Sequence, residues 1–269
     1  MQPGDQDRGI AIVAALWATM ILAVIVLSVQ HIVLADAKVD RGQIDAMQLN
    51  AIADGAVNIT ILAMLSPAAT QPPVNARPFP LQFAGYEIRL SDQDEAGKID
   101  LNATSPDTLR QLLIGTGLGI GPAQQIADSI VAWREPAAGD RAASGARHAR
   151  FQSVEELQLV AGMTPNLYRQ IAPLVTVYSQ TPWIDPAYSS VPVLSVFRAS
   201  DSTAETALRQ LEEERVGLRP PAASPGVAVG HAFTITAEVR GPASARVVRT
   251  AVVRITGQAR VPLLVYRWS

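Results

Sequence analysis

Four carboxylates crowd one short stretch of the sequence, Asp92, Asp94, Glu95 and Asp100 in DQDEAGKID, and oxygen ligands at this density are what a hard cation needs. A calcium loop also requires a Glu at its twelfth position, where Ala103 stands, so the stretch reads instead as a solvated β-turn. The histidines His31, His148 and His231 have no Ser or acid at a recognisable sequence spacing, and the absence of cysteine excludes thiol catalysis and thiolate metal sites. The chain is not expected to be an enzyme. Gly119-Ile120-Gly121 before Pro122 could aim backbone amides at a phosphate, and Gly162-Met163-Thr164 repeats the pattern without a paired glycine. No Lys flanks either, and the net charge of −2 supplies no basic field for a polyanion. Small residues in an apolar run, Ala14, Ala15 and Ala18, are suited to close helix packing.

The elements that hold these groups follow from periodicity. Ile10 to Val29 is an uncharged apolar run of about 20 residues, enough for a helix to cross a bilayer. It continues past Gln30 and His31 without the small-residue site that ends a secretory signal peptide. An apolar stripe at Leu49, Ile52, Ala56, Ile59 and Ala63 extends the helix to about Leu65, half membrane-spanning and half amphipathic, until Ser66-Pro67 ends it. Pro67 to Pro80 reads as a proline-rich linker, and Tyr86, Ile88 and Leu90 alternate as a half-buried strand. Four short helices follow, over Thr108–Ile114, Pro122–Arg134, Val154–Val160 and Pro165–Leu174. The remainder is strand-like and loop sequence with one helix around Thr203–Val216, and it closes with alternating runs Ala232–Arg240, Arg246–Thr256 and Val261–Trp268. The expected class is α+β: a long N-terminal helix packed on an antiparallel sheet, with an all-α module inserted.

Arg8-Gly9-Ile10, a short polar leader and a glycine followed at once by an apolar helix, resembles the signal cut by prepilin peptidase. That resemblance implies cleavage between Gly9 and Ile10 and N-methylation of the new terminus. Most pilins of this class carry Glu at the fifth mature position, where this chain has Ala14, and its loss fits a subunit with no neighbour above it. Two further motifs, DEAGKIDLNATSPDTLRQLL with IADSIVAWR, and FQSVEELQLVAGMTPNLYRQIAPLVTVY, are similar in order and wording to the K-type minor pseudopilin of type II secretion, general secretion pathway protein K.

The resemblance implies a pilin-like fold with a helix-hairpin-helix-like insertion. It divides the chain into a leader (1–9), a transmembrane half-helix (10–35), a periplasmic half-helix (36–66), a linker and first strand (67–104), the inserted helical domain (105–178) and the rest of the pilin-like domain (179–269). It also implies a single-pass protein of the bacterial inner membrane with a periplasmic head. Its partners would be prepilin peptidase, other minor pseudopilins and the major pseudopilin. Calcium in the head is implied by the family alone, with no ligands assigned from this sequence, and no other cofactor is expected. The alternative reading is a membrane-anchored helix-hairpin-helix DNA receptor of natural competence, which would have little use for a C-terminal α+β half.

Overall fold

The structure is a computed structural model describing residues 5–67, 70–135, 148–197, 202–215, 226–242 and 245–269. Its first helix has described side chains at residues 15–25 and 44–64. That helix, α1 (Asp5–Met64), is 60 residues long. It buries Leu49, Ile52, Ala53, Ala56, Val57, Thr60, Ile61 and Met64, while Ile59 of the expected stripe is exposed. The reason is geometric: steps of three and four keep a 3.5-residue period, and on a helix of 3.6 residues per turn such a stripe drifts, so burial moves on to Thr60 and Ile61. Thr60 satisfies its hydroxyl on the Ala56 carbonyl, and Gln71 donates to the terminal carbonyls of Met64 and Ser66 where the helix ends. Among the described residues no helix is long and apolar enough to cross a membrane.

α1 lies on a five-stranded antiparallel sheet in the order β1-β2-β5-β6-β7. The strands are β1 (Phe79–Phe83), β2 (Tyr86–Asp94), β5 (Ala232–Arg240), β6 (Arg246–Gln258) and β7 (Val261–Trp268). The three C-terminal strands fall where the alternation places them. β1 lies at the end of the expected linker, with Pro80 tolerated because this is an edge strand. The core beneath α1 is built by Ile88, Leu90, Phe233, Ile235, Ala237, Val239, Ala251, Val253 and Ile255. Asp54 of α1 holds the far edge, accepting from Trp268 Nε1 at 2.9 Å and pairing with Arg249 at 3.0 Å.

Between the neighbouring strands β2 and β5 the chain makes its helical excursion. It runs through β3 (Ile99–Asp100), α2 (Pro106–Gly115), α3 (Ile120–Arg134), a 3-10 turn at Val154–Leu159, α4 (Pro165–Ile171) and β4 (Val175–Thr176). Next come α5 (Val191–Phe197) and α6 (Ser202–Arg215). β3 and β4 pair in parallel, Ile99 with Val175 and Asp100 with Thr176, closing the helical unit at its base. Ser105 caps α2 through the Thr108 amide, with Pro106 in its first turn. The helical core takes Ile99 and Leu101 at one end and Val193, Leu194, Phe197 and Ala204 at the other. It therefore overruns the sequence division at 104 and 178. α5 is absent from the sequence reading because VPVLSVF is a short apolar run, which periodicity cannot assign to helix or strand.

Candidate functional site at the junction of sheet and helical module

The chemistry-bearing residues of the sequence meet where the chain leaves the sheet. The stretch read as a solvated turn is buried: Asp92, Asp94, Glu95 and Asp100 are all 2 % exposed or less. Strand alternation accounts for part of this, since Asp92 and Asp94 follow Ile88 and Leu90 on the core-facing side of β2. The strand extends to Asp94 because each residue from Ile88 onward pairs with β5, Asp94 lying opposite Phe233. A 3-10 turn at Glu95–Gly97 then carries the chain into the helical module.

Three of the four carboxylates have internal partners. Asp94 accepts from the Ala96 amide at 2.9 Å and pairs through its other oxygen with His231 Nδ1 at 2.8 Å. Glu95 receives Lys98 Nζ and the Thr234 hydroxyl, each at 2.7 Å. Asp100 accepts from the amides of Asn102 and Ala103 with one oxygen, and from Ser179 Oγ and the Gln180 amide with the other. It thus ties the outgoing chain to the returning one. Gln93 donates to the Tyr188 carbonyl at 2.8 Å, and the Asp185 amide donates to Ala96. Gly97 is needed at this crossing, since an added Cβ would collide with the Tyr188 carbonyl.

Asp92 differs from the others. Neither of its oxygens has a hydrogen-bond partner among the described residues. Burial pushes its carboxyl up to about 8, so at neutral pH it is held mostly as the uncharged acid. Burial also raises Asp94, opposed by the Ala96 amide and by His231.

These carboxylates do not fit a calcium ion. Asp94, Glu95 and Asp100 are turned to separate internal donors, and among the described residues no group of three or more His, Asp or Glu side chains could hold a metal. His231 has gained the acid that its sequence neighbourhood lacks, but its ring packs edge-on against Tyr188 at 5.7 Å. This is a cross-link between sheet and module. His148 lies beside the Glu135 carbonyl.

A second set of contacts joins the outer strands to the module. Arg254 of β6 donates to the carbonyl oxygens of Tyr178 at 2.6 Å and Gly230 at 2.9 Å. Tyr178 stacks on Tyr266 of β7 with centroids 5.5 Å apart. Arg267 of β7 pairs with Glu155 of the module at 2.8 Å. None of these pairings has a short-range sequence signal.

The glycine hairpins have a register other than the one the sequence suggests. Gly117 and Gly162 are the left-handed residues, with φ of 93° and 84°, and each is followed by a half-buried apolar residue, Leu118 or Met163, and then by the helix N-cap, Gly119 or Thr164. The two units are therefore equivalent as Gly117-Leu118-Gly119 and Gly162-Met163-Thr164. Arg110, close by on α2, is held by Asp107 and Gln124. Gly9 and Ile10 fall within α1, but the surroundings of Gly9, Ile10 and Ala14 lie outside what is described; Ala15 and Ala18 are exposed, beside exposed Leu16 and Trp17.

Comparison with known proteins locates this arrangement. Residues 88–180, from the middle of β2 to just beyond β4, match the family model for the type II secretion system (T2SS), protein K. The match contains both internal motifs on which the family resemblance was drawn, and supports it. No curated protein matches the chain. In fold, the chain is similar to one chain of the crystal structure of the GspK-GspI-GspJ complex from the enterotoxigenic Escherichia coli type 2 secretion system. The TM-score is 0.58 at 14 % identity, covering 85 % of this chain and 98 % of that one.

Proposed function

We propose that this chain, with its protein K match over residues 88–180, is a minor pseudopilin of the type II secretion system, a structural and assembly component. The observation that carries the reading is that the family match falls on the junction and the helical module, inside a fold whose likeness to the secretion-complex chain spans most of both. What the molecule offers is a long helix, a sheet and a cross-linked module set on the end of the sheet. These are parts for transmitting force and orientation.

In this reading the apolar run of α1 anchors the chain in the inner membrane, with the head in the periplasm, after prepilin peptidase has cut between Gly9 and Ile10 and the new terminus has been methylated. Ala14, Ala15 and Ala18 let neighbouring pseudopilin helices approach. The head then joins other minor pseudopilins at the tip of a short pseudopilus, above the major subunit. Support comes from the leader pattern and from the continuous helix Asp5–Met64.

Co-purification tests the function. The full tagged chain, expressed with the other minor pseudopilins of its own system and extracted in detergent, should bring them down in a complex that survives gel filtration. Recovery of the chain alone would remove the assembly role. Mass spectrometry of the mature N-terminus tests processing, and an intact leader or cleavage near Ala35 would count against it.

A further inference from the structure

Arg254 on β6 and Arg267 on β7 each present a polar side chain to the helical module, while His231, just before β5, pairs with Asp94 at the end of β2 and meets the excursion through the Tyr188 ring. They do not restrain the same motion. The chain crosses from sheet to module at Glu95–Gly97, and the His231–Asp94 pair sits at that crossing, so it lies close to any axis about which the module could swing. Arg254 and Arg267 are offset from the crossing at the end of β2 by two and three strands, at roughly 4.8 Å per strand. Only contacts with this lever arm can oppose rotation. The Arg267–Glu155 pair is about half exposed on both sides, the class of ion pair that contributes little.

We infer that Arg254 is the positioning residue that sets the orientation of the helical module on the sheet. Its guanidinium grips the Tyr178 carbonyl just beyond the module's returning strand β4 and the Gly230 carbonyl leading into β5, and its Cζ lies 5.7 Å from the centroid of Tyr266, whose ring stacks on Tyr178. A planar fork with a π-compatible face can make these three contacts at once; an ammonium cannot. No carboxylate pairs with Arg254 among the described residues, so its charge answers to carbonyl dipoles and an aromatic face.

The chain contains no cysteine, so two can be introduced for spin labels without background. Asn58 on α1 and Gln125 on α3 are exposed and report the relative placement of sheet and module. In the full chain in detergent, electron paramagnetic resonance should give one narrow distance distribution. Arg254→Met should broaden or shift it while the thermal transition and far-UV spectrum stay close to those of the parent. Arg254→Lys should fail to restore the narrow distribution, and Tyr266→Leu, a change on a partly exposed strand, should broaden it in the same direction. A parental distribution in Arg254→Met overturns the inference. So does broadening that occurs only together with loss of the thermal transition, because Arg254 would then support folding and not orientation.

Discussion

Asp92 carries a charge problem that its neighbours have escaped. Its carboxyl titrates near 8 in the folded chain and at 3.8 as an ordinary side chain, so between those values the folded state binds the extra proton. Stability contributed by the neutral acid is therefore fully present below about pH 4, is lost as pH rises, and levels off above about 8, with a limiting slope of roughly 1.4 kcal/mol per pH unit. Asp94 is shifted in the same direction and adds to the trend. Asp92→Asn keeps the shape and the unpaired polar atoms but cannot ionise. It should be more stable than the parent at pH 8 and should show a clearly shallower decline; urea unfolding at half-unit pH steps decides this, and an unchanged slope would assign the effect to other groups. The alternation Ile88, Leu90, Asp92, Asp94 carries the core-facing side into the acids, but acids beside Gly and Lys read as a turn until the register with β5 shows that the strand runs on to Asp94.

At the scale of elements, what was legible depended on whether a local pattern decided the outcome. β5, β6 and β7 alternate in sequence and are strands; α2, α3 and α4 start at Ser-Pro, Gly-Ile-Gly-Pro and Thr-Pro signals and are helices. β1 and α5 were illegible for opposite reasons, a proline that only an edge strand accepts and an apolar run too short to show its period. The hairpins show how a motif can be found in the wrong frame. Gly119 and Gly121 catch the eye, yet Gly117 and Gly162 carry the left-handed backbone. Gly162→Ala, which also brings a Cβ to 2.9 Å from Ile126, should destabilise the chain by about 1–3 kcal/mol. Gly121→Ala, in open space inside α3, should be neutral or gain a few tenths up to about 1 kcal/mol. Thermal denaturation of the pair tests the assignment, and equal losses would restore the frame Gly119–Gly121. On α1, Ala14→Glu would place a carboxylate in the proposed membrane segment at about 2.5–3.5 kcal/mol. If the chain occupies the tip, the variant should insert less well and secrete less in a strain lacking the parent; normal insertion with increased incorporation along the shaft would place it in the shaft.

For the whole molecule, the two hairpins are expected to bind nucleic acid weakly if at all. Lys98 at the entry to the module is held by Glu95, and Arg110 beside the first hairpin is paired with Asp107, so neither is free to neutralise a phosphate. Titration of the full chain with duplex DNA at physiological salt should show no sub-micromolar binding; affinity in that range would revive the competence-receptor reading. The order β1-β2-β5-β6-β7 has a further consequence. β2 and β5 are adjacent and in register, yet the entire helical excursion lies between Asp94 and Ala232. Closing so long a loop is entropically costly and kinetically late. The β5–β7 meander and the helix pairs need only short-range contacts, so they can form first, and the helical module shortens the effective loop as it collapses. Refolding should then be at least biphasic, with helical signal recovered before the α1–sheet core, and the slow step should be the moment at which β5 finds β2 and Asp92 is taken out of water.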